Sequence, residues 1–298
     1  MRLALRLFIK QRAHHQTLQQ TRRSFHHLEW LVPRPPRNVQ TSAIDAGGVR
    51  ADLIVTPQAL PDRHLLFLHG GAYRTGSLAT YRHFTWRLGK ATRARILAIE
   101  YRLAPEHPFP AALEDALTAY RWLLAKGADP RRLIVAGDSA GGGLTLSLLL
   151  KLRHSGTPLP AAAVALSPWT DLALTGASLT ENAAADPMLN SDNLPRFAAD
   201  YLGGADPRDP YVSPLYGDPA GLPPTLIHVG SDEILRDDAV RVAENMRAAG
   251  CAVELEVWPR MPHVWHLMAP FVPEAANAIA KIGAFVERRV PSRHNLAS

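Results

Sequence analysis

One segment, Leu133-Ile-Val-Ala-Gly137-Asp138-Ser139-Ala140-Gly141-Gly142-Gly143, combines a strand, a tight turn and the start of a helix. Its four apolar residues predict a buried strand, and the run Leu144-Thr-Leu-Ser-Leu-Leu-Leu150 predicts the helix that follows. Ser139 lies between them in a Gly-x-Ser-x-Gly turn. Such a turn strains the serine backbone and holds the hydroxyl out at the head of the helix, and small neighbours let strand and helix close around it. This context predicts that Ser139 is a nucleophile.

Length and composition indicate a globular protein with one folded unit. The 298 residues are 47% hydrophobic and 20% charged, which suits one large α/β domain with an insertion. No apolar run approaches the length that crosses a bilayer, so we expect no stable membrane insertion. The single cysteine, Cys251, cannot form an internal disulfide, so a reducing, cytoplasmic location is the default expectation.

Positive charge is concentrated near the N-terminus. Residues 1–40 carry eight basic side chains and one acidic side chain, a net +7, and the rest of the chain holds −1. No module that reads nucleic acid is recognisable, so we expect no nucleic-acid partner. Met1–Lys10 predicts an amphipathic helix rather than a signal peptide, because Arg6 interrupts the apolar run. The helix either touches a membrane surface or packs on its own protein, and packing is favoured.

Strands and helices alternate along most of the chain. A helix is predicted over Thr17–Trp30, before the prolines at 33–36. Strands are predicted at 38–44, 49–55, 64–68, 95–100, 133–138, 161–166, 225–229 and 252–257, and later helices at 81–91, 111–125, 144–150, 237–249 and 274–288. This pattern predicts the α/β class with a mostly parallel, doubly wound sheet. Residues 176–216 contain no clean strand and one helical run at Leu194–Tyr201, so we expect an insertion over the sheet.

A serine hydroxyl must be activated by residues from other loops. It needs a general base, normally a histidine that a carboxylate orients. In an open parallel sheet such groups lie beyond the carboxyl ends of the strands. The loop after strand 225–229 begins Gly230-Ser-Asp232-Glu233, and the loop after strand 252–257 carries Met261-Pro-His263. The order Ser139, Asp232, His263 matches the α/β-hydrolase order of nucleophile, acid and base.

Three other carboxylates compete with Asp232 for the role of the acid. Glu233 points away from Asp232 if the strand pleat persists, so Asp232 is the preferred acid. Asp237 and Asp238 are predicted to open the next helix, where carboxylates favour the N-terminal dipole.

The base also has an alternative. His266 lies about one helical turn from His263 and is the base if the loop has a different conformation. Packing near Trp265 is the favoured interpretation of His266. The remaining histidines lack metal-ligand spacing, so we expect no metal.

A glycine pair follows the strand at 64–68. Attack on an ester carbonyl puts negative charge on its oxygen, and each donor aimed at that oxygen contributes about 3–4 kcal/mol. His69-Gly70-Gly71-Ala72 projects its backbone N–H groups into the edge of the sheet where Ser139 lies, and Ala140 supplies another donor. We therefore expect an oxyanion hole here rather than a merely flexible turn.

Six motifs together resemble those of the hormone-sensitive-lipase-like family of bacterial carboxylesterases. They are His69-Gly-Gly-Ala72, Tyr101-Arg-Leu-Ala-Pro-Glu-His-Pro-Phe-Pro110, Gly137-Asp-Ser-Ala-Gly-Gly142, Ser167-Pro-Trp-Thr-Asp-Leu172, Asp232-Glu-Ile-Leu-Arg-Asp237 and Met261-Pro-His263. The resemblance extends over residues 38 to 288, approximately. It implies an α/β-hydrolase fold with Ser139 as nucleophile, Asp232 as acid and His263 as base.

The first of these motifs departs from the family pattern. That pattern is usually His-Gly-Gly-Gly, with oxyanion donors at its third and fourth positions, which fall on Gly71 and Ala72, and Gly70 supports them. Because the donor is a backbone N–H, we expect Ala72 to serve if its φ is negative.

The resemblance also implies a cap over the catalytic residues. N-terminal helices in residues 1–38 and an insertion at about 176–216 would form it, on a catalytic domain of residues 39–298. Tyr73, Trp169 and Asp138 then become candidate substrate-pocket residues.

The implied activity is that of a serine carboxylesterase, which hydrolyses small esters of short to medium acyl chain through an acyl-enzyme without a cofactor. Lactone hydrolysis is a related activity. The alternatives are a binding protein without catalysis, a peptidase on the same fold and an interfacial lipase, and the chain is either a monomer or a homodimer.

Overall fold

Eight strands form one sheet at the centre of the computed structural model, which describes residues 17–28, 33–269 and 271–292. The strands are β1 (Gln40–Asp45), β2 (Arg50–Val55), β3 (His64–Leu68), β4 (Arg95–Ile99), β5 (Leu133–Asp138), β6 (Ala162–Leu166), β7 (Thr225–Gly230) and β8 (Val253–Trp258). Their order across the sheet is β1-β2-β4-β3-β5-β6-β7-β8. Pairing is antiparallel from β1 to β4 and parallel from β4 to β8. The predicted α/β class and mostly parallel sheet are confirmed.

Helices connect the parallel strands and cover the sheet. They are α1 (Leu18–Leu28), α2 (Leu78–Thr92), α3 (Ala111–Ala125), α4 (Ala140–His154), α5 (Ser178–Glu181), α6 (Leu194–Leu202), α7 (Arg236–Ala248) and α8 (Pro273–Arg289). Short 3₁₀ helices occur at Pro130–Arg132, Ser191–Asn193, Pro214–Tyr216 and Trp265–Met268. The predicted helix at Met1–Lys10 and the end of the one at Thr17–Trp30 lie outside the described residues.

The central strands are apolar on both faces because helices cover both. In β3, Leu65 and Phe67 pack with α2 and α8 on one face, whereas Leu66 and Leu68 pack with α3 and α4 on the other. All four side chains are buried. Because β3 is buried on both faces, its position in the core is fixed. The start of the loop that follows β3 is therefore fixed as well.

The segment between β6 and β7 contains no strand among its described residues, as predicted. It holds α5 and α6, and the expected helical run at Leu194–Tyr201 is realised as Leu194–Leu202. Near the N-terminus, Arg22 of α1 donates to the backbone oxygens of Arg74 and Ala104 and forms an ion pair with Glu106. Asp200 of α6 pairs with Arg74 at 2.6 Å, so both segments contact the part of the fold that carries the glycine-pair loop.

Within the described part of the chain, no helix combines the length and the apolar character that crossing a membrane requires.

Candidate active site

Ser139 lies at the sharp turn between β5 and α4. Its backbone has φ 53° and ψ −122°, a conformation that non-glycine residues rarely adopt. Its N–H donates to the Leu166 oxygen at 2.8 Å, and its carbonyl accepts from the N–H groups of Trp169 (3.0 Å) and Gly143 (3.1 Å). These bonds hold the strained turn in place.

The glycines on either side of Ser139 leave no space for a side chain. A Cβ on Gly137 would lie 2.2 Å from the Gly141 oxygen, and a Cβ on Gly141 would lie 2.0 Å from the Leu68 oxygen. The small residues expected at 137 and 141 are therefore required by close backbone approach between β3, β5 and α4.

Ser139, His263 and Glu233 form one chain of hydrogen bonds. Nε2 of His263 lies 2.9 Å from Ser139 Oγ, and Nδ1 lies 2.8 Å from Glu233 Oε2. Because a carboxylate only accepts, Nδ1 carries the proton and Nε2 accepts from the serine hydroxyl. The Glu233 carboxylate also accepts at Oε1, from the Gly230 N–H at 2.6 Å and from Ser167 Oγ at 2.7 Å.

The carboxylate beside His263 is that of Glu233, which corrects the expectation for Asp232. That expectation extended the strand pleat into the loop, but β7 ends at Gly230 and the chain turns there, with the Glu233 N–H directed at the Gly230 oxygen. The turn buries the Glu233 side chain completely, whereas Asp232 is half-buried and accepts from Ser231 Oγ at 2.8 Å.

The other competing carboxylates lie elsewhere. Asp237 and Asp238 are in the first turn of α7, as predicted. Asp237 accepts from the Ser178 N–H, and Asp238 accepts from the N–H groups of Thr170 and Asp171. Both residues therefore fix the segment that follows β6.

His266 does not reach the serine. Its Nε2 lies 3.1 Å from Nδ1 of His228, and its ring packs on Trp265 with centroids 4.0 Å apart, as favoured from the sequence. Burial, with the nearby His228 and His263, keeps the pKa of His266 well below its usual range. These surroundings therefore favour the neutral form of His266.

Charges around His263 favour its protonated form. Burial lowers the pKa of His263, but the hydrogen bond and charge of Glu233, helped by Asp186 and Asp138, outweigh this and raise the pKa above its ordinary value. His263 is thus a stronger base than an isolated buried imidazole.

The glycine-pair loop is fixed to the serine turn by Asp138. Oδ1 of Asp138 accepts from the Gly70 N–H at 3.0 Å, and Oδ2 accepts from Tyr81 Oη at 2.8 Å. Burial raises the pKa of Asp138 to about 7. Because the residue is buried and both oxygens are occupied, Asp138 does not line a pocket as expected but holds the loop beside Ser139.

Positive φ angles continue along this loop. Gly71 has φ 118°, and Ala72 and Tyr73 have φ 54° and 60°. The negative φ on which the sequence made the donor role of Ala72 conditional is therefore not found, and the alanine takes a left-handed conformation that costs a non-glycine residue about 1–2 kcal/mol. Within the described residues, the N–H groups of Gly71 and Ala72 form no hydrogen bond, and neither does that of Ala140.

An aromatic group packs beside the loop. Tyr73 stacks on Tyr201 of α6 with ring centroids 3.6 Å apart, and Trp169 lies 6.3 Å from Tyr73 by the same measure. All three side chains are buried. Tyr73 and Trp169 thus adjoin the serine turn, where the Trp169 N–H contacts Ser139.

Three residues that support the site were not singled out from the sequence. Ser167 hydrogen-bonds Glu233, Asn182 Nδ2 donates to the Ser231 and Glu233 oxygens, and Asp186 accepts from the Ile234 N–H. Ser167 directly follows β6, so the argument from strand ends could have found it. Asn182 and Asp186 lie between β6 and β7, where no periodic pattern marked them.

A metal centre has no candidate ligands in the described ranges, which hold no group of three or more His, Cys, Asp or Glu side chains that could bind an ion.

Comparison with known proteins identifies the family of the chain. The family described as the alpha/beta hydrolase fold matches residues 65–267. An acetyl-hydrolase of Streptomyces hygroscopicus is 51% identical over 232 residues, which are 78% of each chain. An esterase of Acinetobacter venetianus is 38% identical over 86% of this chain and 84% of that protein.

Solved structures give the same result. A crystal structure of an esterase from the bacterial hormone-sensitive lipase family superposes with a TM-score of 0.93 at 45% identity, covering 97% of this chain and 98% of that one. The chain therefore belongs to the α/β-hydrolase family, in its hormone-sensitive-lipase-like branch of carboxylic ester hydrolases.

Proposed function

We propose that the chain hydrolyses small esters of short to medium acyl chain through an acyl-enzyme on Ser139. The observation that carries the proposal is the chain of hydrogen bonds from Ser139 Oγ to His263 Nε2 (2.9 Å) and from His263 Nδ1 to Glu233 Oε2 (2.8 Å). It supplies a nucleophile, a base and an orienting carboxylate in the geometry that acyl transfer needs.

The first half of the reaction forms the acyl-enzyme. Ser139 Oγ attacks the ester carbonyl carbon while His263 Nε2 takes the hydroxyl proton, and the carbonyl oxygen becomes an oxyanion. Glu233 stabilises the imidazolium that results and keeps Nε2 directed at the serine. When the C–O bond to the alcohol breaks, His263 returns the proton to the leaving oxygen.

The second half releases the acid. A water molecule gives a proton to His263 Nε2 and attacks the acyl carbon, and the Ser139 oxygen leaves with the proton that His263 returns. The N–H groups of Gly71, Ala72 and Ala140 are the proposed donors to the oxyanion in both halves. Asp138 supports them by holding Gly70, and therefore the start of the loop, next to the serine turn.

The proposed substrate range follows from the surroundings of the serine. The stacked pair Tyr73 and Tyr201 packs beside the glycine-pair loop, and we propose that it limits the length of the acyl chain. The similar Streptomyces hygroscopicus protein is an acetyl-hydrolase, in accordance with a small acyl group. We propose that residues 176–216, together with the N-terminal segment, act as the cap over this volume.

Replacement of the nucleophile tests the proposal. Ser139→Ala is expected to keep the fold and to abolish hydrolysis of p-nitrophenyl acetate and covalent labelling by a fluorophosphonate. Ser147→Ala is the matched control, because Ser147 is a buried serine on the helix that follows Ser139, and its hydroxyl has no partner within the described residues. Hydrolysis by Ser139→Ala at nearly the wild-type rate would overturn the proposal.

A further inference from the structure

We infer that Ser167 is a positioning residue for ester hydrolysis, which fixes both the carboxylate of Glu233 and the loop that carries His263. The inference rests on the proposed function. Ser167 Oγ lies 2.7 Å from Glu233 Oε1 and 3.1 Å from the backbone nitrogen of Val264. Ser167 is completely buried, so it acts through these contacts and not on substrate.

The direction of each hydrogen bond at Ser167 follows from its partners. The Val264 amide only donates, so Ser167 Oγ accepts there. The Glu233 carboxylate only accepts, so the hydroxyl proton of Ser167 points to Glu233 Oε1. One hydroxyl thus joins the acid to the residue that follows the base.

The hydrogen bond from Ser167 to Glu233 fixes the rotation of the Glu233 carboxylate. The terminal torsion of a glutamate is broad and roughly two-fold, so the group is not held by its own rotamer preference. Donors from Ser167 and Gly230 both occupy Oε1 of Glu233, which leaves Oε2 facing His263. Without the Ser167 hydroxyl, one of the two donors that set this orientation is lost.

Backbone strain at both ends of the contact supports a positioning role. Ser167 has φ 46° and Val264 has φ 45°, and for a β-branched valine this region is a genuine outlier. Such strain persists only where the surroundings over-determine the conformation. The Ser167 N–H also donates to the His228 oxygen at 2.7 Å, which fixes Ser167 to β7. Ser167, directly after β6, therefore contacts β7 and the loops that follow β7 and β8.

The test is Ser167→Gly, because glycine adopts φ 46° without strain and the substitution removes only the hydroxymethyl group. We expect kcat for p-nitrophenyl acetate to fall about 10- to 100-fold, with KM unchanged, since small misplacements of catalytic groups have effects of this size. Ser147→Ala, which removes a buried hydroxyl that has no hydrogen-bond partner among the described residues, should retain wild-type kcat.

A double-mutant cycle with Glu233→Gln separates positioning from a general structural effect. If Ser167 acts through Glu233, Ser167→Gly should lower kcat by less than about threefold in the Glu233→Gln background, because residues that act as a unit are not additive. An equal factor in both backgrounds, or no fall in the wild-type background, would overturn the inference.

Separate control experiments distinguish a folding defect, and a failure of the proposed function, from a failure of the inference about Ser167. If thermal unfolding shows that Ser167→Gly does not fold, Ser167→Cys gives the same comparison, because a thiol is a weaker donor of similar size; its kcat should fall as well, and wild-type kcat would overturn the inference. A wild-type protein without ester turnover or fluorophosphonate labelling would overturn the proposed function, whereas an active Ser167→Gly with wild-type kcat would overturn only the role of Ser167.

Discussion

Oε2 of Glu233 lies 2.8 Å from Nδ1 of His263, one residue beyond the aspartate that the sequence favours. Glu233→Gln should lower kcat about 10³- to 10⁴-fold, because the amide neither stabilises the imidazolium nor holds the correct tautomer. Asp232→Asn should change kcat by less than about threefold, since the side chain contacts Ser231 instead. Ester turnover of the two purified variants decides between them, and the reverse ranking would return the role to Asp232.

The sequence predicted this site to within one residue because parallel strands end at a common edge. The alternation of strands and helices predicts that the loops carrying Ser139, His263 and the acid lie at this edge of the sheet, although it predicts no distances between them. The choice between Asp232 and Glu233 depended on where β7 stops. The turn after Gly230 makes tertiary contacts with Asn182 and Asp186 of the segment between β6 and β7, and no local pattern encodes these.

The positive φ of Ala72 escaped prediction for a related reason. Alanine has no preference for φ 54°, and the conformation follows from how the loop is held by Asp138 and by the Arg74 and Thr75 N–H groups, which donate to the Gly71 oxygen. Residue type alone indicated a donor loop, whereas its backbone geometry depends on contacts with β5 and α2.

The pH dependence of hydrolysis should report the raised pKa of His263. The imidazole must be neutral to accept the serine proton, so kcat/KM falls as the pH drops through its pKa. In the wild type the midpoint of this fall should lie above 6.5, the ordinary value for histidine. In Glu233→Gln the residual activity should fall at a lower pH, because burial remains and the carboxylate is gone. A midpoint that does not move would contradict the role of Glu233.

Asp138→Asn should change how stability depends on pH. Burial raises the pKa of Asp138 from 3.8 to about 7, so ionisation of Asp138 destabilises the folded state. The free energy of unfolding of the wild type should therefore fall as the pH rises from about 4 through 7. Asparagine cannot ionise, so the free energy of unfolding of the variant should rise relative to that of the wild type by up to about 1.4 kcal/mol per pH unit over this window. Urea unfolding at pH 5 and pH 8 measures the difference.

Two controls accompany this experiment. Asp138→Ala cannot ionise either but removes both acceptors from Gly70 and Tyr81, so it should be less stable than Asp138→Asn by about 1–3 kcal/mol at either pH. An Asp138→Asn variant whose stability tracks that of the wild type at both pH values would show that Asp138 does not titrate in this range.

Arg22→Ala should weaken the docking of α1. The guanidinium donates to the Arg74 and Ala104 backbone oxygens and pairs with Glu106, so its removal should lower the free energy of unfolding by about 1–2 kcal/mol. Arg23→Ala is the matched control, because Arg23 is adjacent and exposed. Urea unfolding and proteolysis of α1 measure the effect, and equal stability of the two variants would mean that the contacts of Arg22 contribute nothing.

The Arg22 contact should also depend on pH. The hydrogen bond from Arg22 lowers the pKa of Glu106 to about 2, below its ordinary 4.5. The Arg22–Glu106 pair therefore stabilises the fold fully above about pH 4.5, and this stabilisation is lost as the pH falls towards 2. The gap in stability between the wild type and Glu106→Gln should narrow over that window, and a gap that widens would contradict the assignment.

Close approach at the serine turn gives the sharpest steric prediction. A Cβ on Gly141 would lie 2.0 Å from the Leu68 oxygen and 2.5 Å from the His69 oxygen, and both are backbone atoms that cannot rotate away. Gly141→Ala should therefore destabilise the fold by about 3 kcal/mol or more and displace Ser139, with loss of turnover. Gly156→Ala is the control, because nothing lies within 4 Å of its added Cβ and only its φ of 64° opposes the change. That control should cost about 1 kcal/mol and leave kcat unchanged. Similar costs for the two variants in urea unfolding would mean that β3 and α4 can separate without disturbing the site.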